Sequence, residues 1–136
     1  MKKIFADTSY WIALLNPRDG LHAKAVAMPA QLPSARLVTS EMVLAELLNG
    51  LSDVGPWKRS AAIISVETIL RTHSISVFPQ TSDQFFRAFE RYKQSADKNW
   101  SLTDCASFQI METERISAAL THDHHFVQAG FEALLR

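Results

Sequence analysis

The sequence predicts a single α/β domain, a three-layer α/β/α sandwich around a central, mostly parallel sheet of four to five strands. Three observations carry this expectation. The chain has 136 residues, the length of one ordinary domain. Its composition is 47% apolar and 21% charged, enough to build a sizeable core. Short β-like apolar runs alternate with longer stretches at helical spacing, the pattern of a parallel sheet covered on both faces.

Taken in order, Ile4-Phe5-Ala6 reads as the first strand and Leu37-Val38-Thr39 as the second. Ser40 then precedes a helical run over residues 41–48 that Asn49-Gly50 follows, and Gly55-Pro56 opens the next helix. Within residues 57–72, Ala62, Ile63, Val66, Ile69 and Leu70 fall on one stripe. Residues 75–78 form the third strand. Over residues 82–95 the stripe is aromatic, Phe85, Phe86, Phe89 and Tyr92, with Arg87, Glu90, Arg91 and Lys93 on the opposite face. An apolar helix surrounds Asp104, residues 116–121 form the fourth strand and residues 131–135 hold a last short one. Residues 17–20 and 29–33 read as turns. No repeat, low-complexity tract or long linker divides the chain, so residues 1–136 are expected to form one domain.

The composition also excludes functions. The 14 basic and 14 acidic residues cancel, so no excess positive charge marks a polyanionic partner, and any nucleic-acid function must rest on local placement. The single cysteine, Cys105, rules out an internal disulfide framework and disfavours a cysteine-based zinc site; a reducing, cytoplasmic setting fits best. The N-terminal run Met1-Lys2-Lys3-Ile4-Phe5 resembles the start of a signal peptide, but Asp7 interrupts it. No stretch approaches the roughly 18–20 apolar residues of a membrane span, and a soluble protein without membrane contact is expected.

Ligands of open α/β sheets bind beyond the carboxyl ends of the strands, and two aspartates stand there: Asp7 after the first strand and Asp123 after the fourth. Each alone could simply cap the following helix. Asp104 falls on the same helical side as Phe108 and Met111, where an ionised carboxylate is costly unless paired or protonated. Ser101-Leu102-Thr103-Asp104 also has the form of a capping box, and the two roles can coexist. Glu46 lies well off the Val43, Leu47, Leu51 stripe and reads as solvent-facing, and periodicity does not separate it from Glu41.

These residues together resemble the PIN domain family, and within it the VapC-like ribonucleases that serve as toxins of toxin–antitoxin pairs. Ile4-Phe5-Ala6-Asp7-Thr8-Ser9 resembles the family's first strand and first acid. Glu46, in Thr39-Ser40-Glu41-Met42-Val43-Leu44-Ala45-Glu46-Leu47, resembles the second. The segment from Trp100 through Asp104 to Phe108 resembles the third motif, and Ala119-Leu120-Thr121-His122-Asp123-His124-His125-Phe126 with Ala129-Gly130-Phe131 the fourth. The resemblance spans nearly the whole chain and singles out Glu46 over Glu41.

The resemblance implies that Asp7, Glu46, Asp104 and Asp123 converge as catalytic carboxylates. Asp7, Asp104 and Asp123 would be metal ligands, and Glu46 a further ligand or a positioner of the nucleophile. Like charges so placed raise each other's pKa values unless a cation intervenes, and hard oxygen donors favour Mg²⁺ or Mn²⁺. Such a site suits phosphodiester hydrolysis. The resemblance points to RNA as substrate, an endonuclease leaving a 5′-phosphate, a cognate antitoxin as partner and a homodimer. Thr8 and Ser9 are placed to hydrogen-bond a phosphate, orient a carboxylate or cap the first helix.

His122, His124 and His125 cluster around Asp123 but read as loop decoration rather than ligands, because alternate residues of an extended segment face opposite ways. His22 is expected to be structural, and Cys105 a small buried residue rather than a nucleophile. Lys58-Arg59 and Arg87, Arg91, Lys93 and Lys98 are the basic clusters available to a phosphate backbone. Two other functions remain open on the sequence: a PIN nuclease of RNA processing that is not a toxin, and a receiver-like acidic-pocket binding domain. Against the latter, only one acid follows the first strand and no lysine ends the late one.

Overall fold

A computed structural model describes residues 2–52 and 55–136; Met1, the start of the leader-like run, lies outside it. Five strands, β1 (Lys3–Ala6), β2 (Arg36–Ser40), β3 (Ile75–Phe78), β4 (Ala118–Leu120) and β5 (Glu132–Ala133), form one sheet in the order β3-β2-β1-β4-β5. Every pairing is parallel: Ile4 stands opposite Leu37, Phe5 opposite Ala119, Val38 opposite Ser76 and Ala118 opposite Glu132. Among the described residues seven helices connect and flank it: α1 (Thr8–Leu15), α2 (His22–Gln31), α3 (Glu41–Gly50), α4 (Pro56–Arg71), α5 (Ser82–Gln94), α6 (Leu102–Thr113) and α7 (His124–Gln128). This is the expected three-layer α/β/α arrangement, with a sheet that is parallel throughout.

The burial of each strand follows from its place. The central strands bury Ile4, Phe5 and Ala6 of β1 and all of β4, whereas β3, at the sheet edge, is only half-buried. Helix α6 is nearly engulfed: Asp104, Cys105, Ala106, Ser107, Phe108, Ile110 and Met111 are all buried. Phe108 is fully buried, with its ring against Trp100, Phe126 and Phe131 at centroid separations of 5.0, 4.9 and 5.7 Å. Aromatic edge-to-face contacts of this kind add to the burial term and tie α6 to α7.

The caps agree with the sequence at several points. Ser40 accepts from the Val43 N–H, Thr81 from Gln84 and Ser101 from Asp104, and Pro56 occupies the first turn of α4 behind Gly55. Gly55 has φ 107°, a conformation that a side chain would strain.

Several expectations are corrected. Pro29 lies inside α2, not in a turn: the helix carries on two residues past it without its N–H bond and closes as the Leu32 N–H donates to Pro29 O. Helix α3 runs on through Asn49-Gly50. The fourth strand is shorter than residues 116–121: Arg115 takes a positive φ of 58° and the Ile116 N–H turns back to Met111 O, so the chain is still leaving α6. On α4 only Ala62 and Ile69 of the stripe are buried; Ile63 and Leu70 are exposed. On α5 all four aromatic residues are exposed, Phe86 to 62%, and Ala88 is the buried residue. Arg91 does not face solvent with Arg87 and Lys93; it pairs with Glu112 of α6 and lies over the Phe108 ring.

Candidate active site

The strand order places the site. Chain windings diverge on the two sides of β1, toward β2 and β3 one way and toward β4 and β5 the other, so the crevice at the carboxyl ends of β1 and β4 is the switch point where ligands bind. The pairing of Ala6 with Leu120 brings Asp7 level with Thr121, and the Asp7 N–H continues the ladder to Leu120 O at 3.2 Å.

Asp7 is buried, and although it stands at the N-cap of α1 its carboxylate makes no cap bond. It instead accepts from the Thr121 hydroxyl at 2.9 Å and from Ser9 at 3.4 Å. Burial pushes its pKa up to about 7, with the charges of Asp104 and Glu46 adding to the rise and the Thr121 hydroxyl and Thr8 backbone opposing it. Capping alone therefore does not explain Asp7.

Asp104 fulfils both readings. Its N–H donates to Ser101 Oγ, its Oδ2 accepts from the Ser101 N–H at 3.1 Å, and it is buried nonetheless. Burial raises its pKa, and the charge of Asp123 raises it further, against the hydrogen bonds from Ser101 and His125. Asp123 caps α7, accepting the His125 N–H at 2.9 Å, and keeps its carboxylate at the same crevice. Glu46 is exposed, as its wheel position predicts, yet its charge reaches Asp7. Glu41 is otherwise engaged, accepting the Gln80 N–H at 2.6 Å. The charges of Glu46 and Asp104 thus act on Asp7, and that of Asp123 on Asp104.

Two further residues of this site escape a sequence reading. Thr121 is fully buried and works as a hub: its hydroxyl donates to Asp7, accepts the Asp123 N–H at 3.0 Å and meets Ser9 Oγ at 3.2 Å. Its signal was register, since a residue one past β4 faces the residue one past β1. The reading of His125 as loop decoration is corrected: it lies in α7 and its ring meets two of the acids. Its Nδ1 lies 3.0 Å from Asp104 Oδ2 and 3.3 Å from Asp123 Oδ1. Alternation did not apply, because an aspartate N-cap begins a helix rather than continuing an extended segment. His122 is exposed, while His124 stands 3.7 Å from Asp123.

Of the substrate-binding candidates, Ser9 belongs to the Asp7–Thr121 network, and the buried Thr8 hydroxyl has no hydrogen-bond partner among the described residues. His22 has a structural contact, its Nδ1 2.7 Å from Ala13 O. Cys105 is buried, and burial pushes its thiol up, away from nucleophilic use. The basic clusters are largely matched locally: Arg87 with Asp83, Arg91 with Glu112, Lys93 with Glu90, Lys98 with Asp97, and Arg59 with the Ser52 carbonyl.

The donor set fits a hard divalent cation. The carboxylates belong to three separate elements, the one cysteine is a buried thiol, and the ionised form of Asp7 is one that its surroundings oppose. Asp123, His124 and His125 also have donor atoms within 4.8 Å of one another. Among the described residues no helix is long and apolar enough to cross a membrane.

Known proteins share this fold. Residues 4–132 match the PIN domain family. The chain is 32% identical over 130 residues to the "23S rRNA-specific endonuclease VapC20" of Mycobacterium tuberculosis, covering 94% of this chain and 95% of that protein. The crystal structure of the same M. tuberculosis toxin, described as "Sarcin-Ricin loop cleaving", superposes with a TM-score of 0.84 at 30% identity over 94% of this chain and 95% of that one. VapBC2 from Rickettsia felis, solved bound to a DNA fragment from its promoter, shares the fold at a TM-score of 0.66 and 14% identity, covering 96% of each chain. FitAcB from Neisseria gonorrhoeae does so at 0.64 and 16%, covering 96% of this chain and 94% of that one. With the family matched over residues 4–132 and a relative matched over almost its full length, the chain belongs to the PIN domain family, on its VapC-like ribonuclease branch.

Proposed function

We propose that the protein is a divalent-metal-dependent endoribonuclease and the toxin of a type II toxin–antitoxin pair. The observation that carries this is the convergence of Asp7, Asp104 and Asp123, with Glu46 beside them, at the carboxyl ends of β1 and β4. Asp7, Asp104 and Asp123 would hold Mg²⁺ or Mn²⁺, and Glu46, the exposed member, would orient the attacking water or complete the shell. The bound cation supplies water activation and neutralises charge at the scissile phosphate. Thr121 holds one Asp7 oxygen in place, and Thr8 and Ser9, next to Asp7 in the chain, would hydrogen-bond a phosphate oxygen.

A cleft between α5 and the start of α6, lined by Phe89, Tyr92, Lys93, Lys98, Trp100 and Ser101, opens beside Asp104. Aromatic faces and lysines in one groove suit an unpaired RNA strand. Their ion pairs with Glu90 and Asp97 are exposed and cheaply exchanged for phosphate. Because the M. tuberculosis relative is named for 23S rRNA and its sarcin–ricin loop, a ribosomal RNA stem-loop is the substrate to test first.

The partners proposed with this reading are a cognate antitoxin and a second copy of the chain, and the exposed α5 aromatics and α4 apolar residues offer surface for such contacts. The setting proposed is cytoplasmic. The test is cleavage of total cellular RNA with Mg²⁺ or Mn²⁺, EDTA as the block and Asp104→Asn as control. Cutting that persists in EDTA or in Asp104→Asn would sink the assignment.

A further inference from the structure

Asp104 and Asp123 approach the crevice from α6 and from the cap of α7, and one side chain touches both. His125 Nδ1 is 3.0 Å from Asp104 Oδ2 and 3.3 Å from Asp123 Oδ1, while its backbone N–H donates to the same Asp123 oxygen at 2.9 Å. Both ring neighbours are carboxylate oxygens that only accept, which assigns the hydrogen to Nδ1. Capping Asp123 needs nothing beyond the backbone N–H; the ring contact to Asp104, on another helix, is surplus to that role. Among the described residues no lysine or arginine lies within 4 Å of the carboxylates of Asp7, Glu46, Asp104 or Asp123, and the basic side chains that do are the His125 and His124 rings.

We propose that His125 is a positioning residue, a clamp whose Nδ1–H holds the Asp104 and Asp123 carboxylates in the mutual orientation that receives the cation. The inference rests on the nuclease reading for the role of the two acids, and it adds a group outside the four carboxylates. Hydrogen bonds that orient ligands are worth about 10–100-fold in metal affinity or activity. A side chain that only packed α7 against α6 would leave metal affinity untouched.

The experiment titrates Mn²⁺ calorimetrically into the full chain without RNA, then measures kcat and KM on a ribosomal RNA fragment. His125→Ala is expected to weaken Mn²⁺ binding about 10–100-fold and to lower kcat with KM for RNA nearly unchanged. His125→Asn, whose amide N–H stands about where Nδ1 stands, is expected to restore most of the affinity; His125→Gln, which reaches toward the Nε2 position, is not. Should His125→Ala fail to fold, the Asn and Gln variants decide, and equal Mn²⁺ affinity in those two overturns the clamp. Wild-type Mn²⁺ affinity in a folded His125→Ala, with Asp104→Asn inactive, overturns the clamp alone. Wild-type protein that neither binds Mn²⁺ nor cuts RNA overturns the nuclease reading and the clamp together.

Discussion

Helices α5 and α6 pack against each other, and both carry apolar side chains at helical spacing, yet they lead opposite lives. Helix α6 is buried on nearly every side and carries Asp104 into the crevice, whereas the four aromatic residues of α5 face outward and only Ala88 is buried. The small residues at the contact explain the inversion: Ala88 meets Cys105 and Ala106, and the helices approach there through short side chains. A long polar residue in the seam, Arg91, is retained by Glu112 and by the Phe108 face. An apolar stripe therefore tells which face of a helix is distinctive, and says nothing of whether the chain itself covers that face.

The contrast can be broken or sharpened by substitution. The largest effect is expected at Asp104: Asp104→Asn should lower RNA cleavage by about 10³-fold or more while circular dichroism and the unfolding midpoint stay near wild type, since asparagine can keep the capping bonds. Substantial residual cleavage would reduce Asp104 to a cap. Next, Phe108→Ala should destabilise by about 3–5 kcal/mol in urea unfolding, because it empties the centre of a four-ring cluster.

Asp7 comes third and carries a sign that can be checked. Its folded pKa, about 7, lies above the usual carboxylate value of 3.8, so ionisation is disfavoured in the folded protein. The resulting penalty is absent below the unfolded pKa, grows as pH rises between the two values and is complete above about 7. In EDTA, Asp7→Asn should therefore stabilise the protein at pH 8 by on the order of 2–4 kcal/mol and change it little at pH 4. Equal effects at the two pH values in urea titrations would remove burial of charge as the cause. The smallest effect belongs to α5: Phe86→Ser should change stability by about 0.5 kcal/mol or less, as expected for an exposed position, and a larger loss would mean that the aromatic face is covered in solution.

The site was legible in the sequence wherever a residue's role follows from its local setting. Asp7 and Asp123 stand just past short apolar strands, and Asp104 sits both in a capping box and on an apolar face, so chain position alone marks them. Glu46 was legible only through resemblance, because its wheel position describes an exposed residue and the exposure is real. Thr121 and His125 were illegible one at a time. Thr121 depends on the register between β1 and β4, and His125 on how α7 docks against α6.

What the sequence determined by itself is the alternation of strands and helices, most of their caps, the mostly parallel class of sheet and the three acids that follow strands or cap helices. These come from interactions between near neighbours: apolar period, side-chain-to-backbone hydrogen bonds and the special conformations of glycine and proline. The tertiary structure alone decided which apolar stripes are covered, which cations are neutralised locally, and which polar side chains join the acids in one crevice. Those outcomes rest on contacts between residues far apart in the chain, such as Thr121 with Asp7 and His125 with Asp104, and the distance between them is set by packing rather than by spacing.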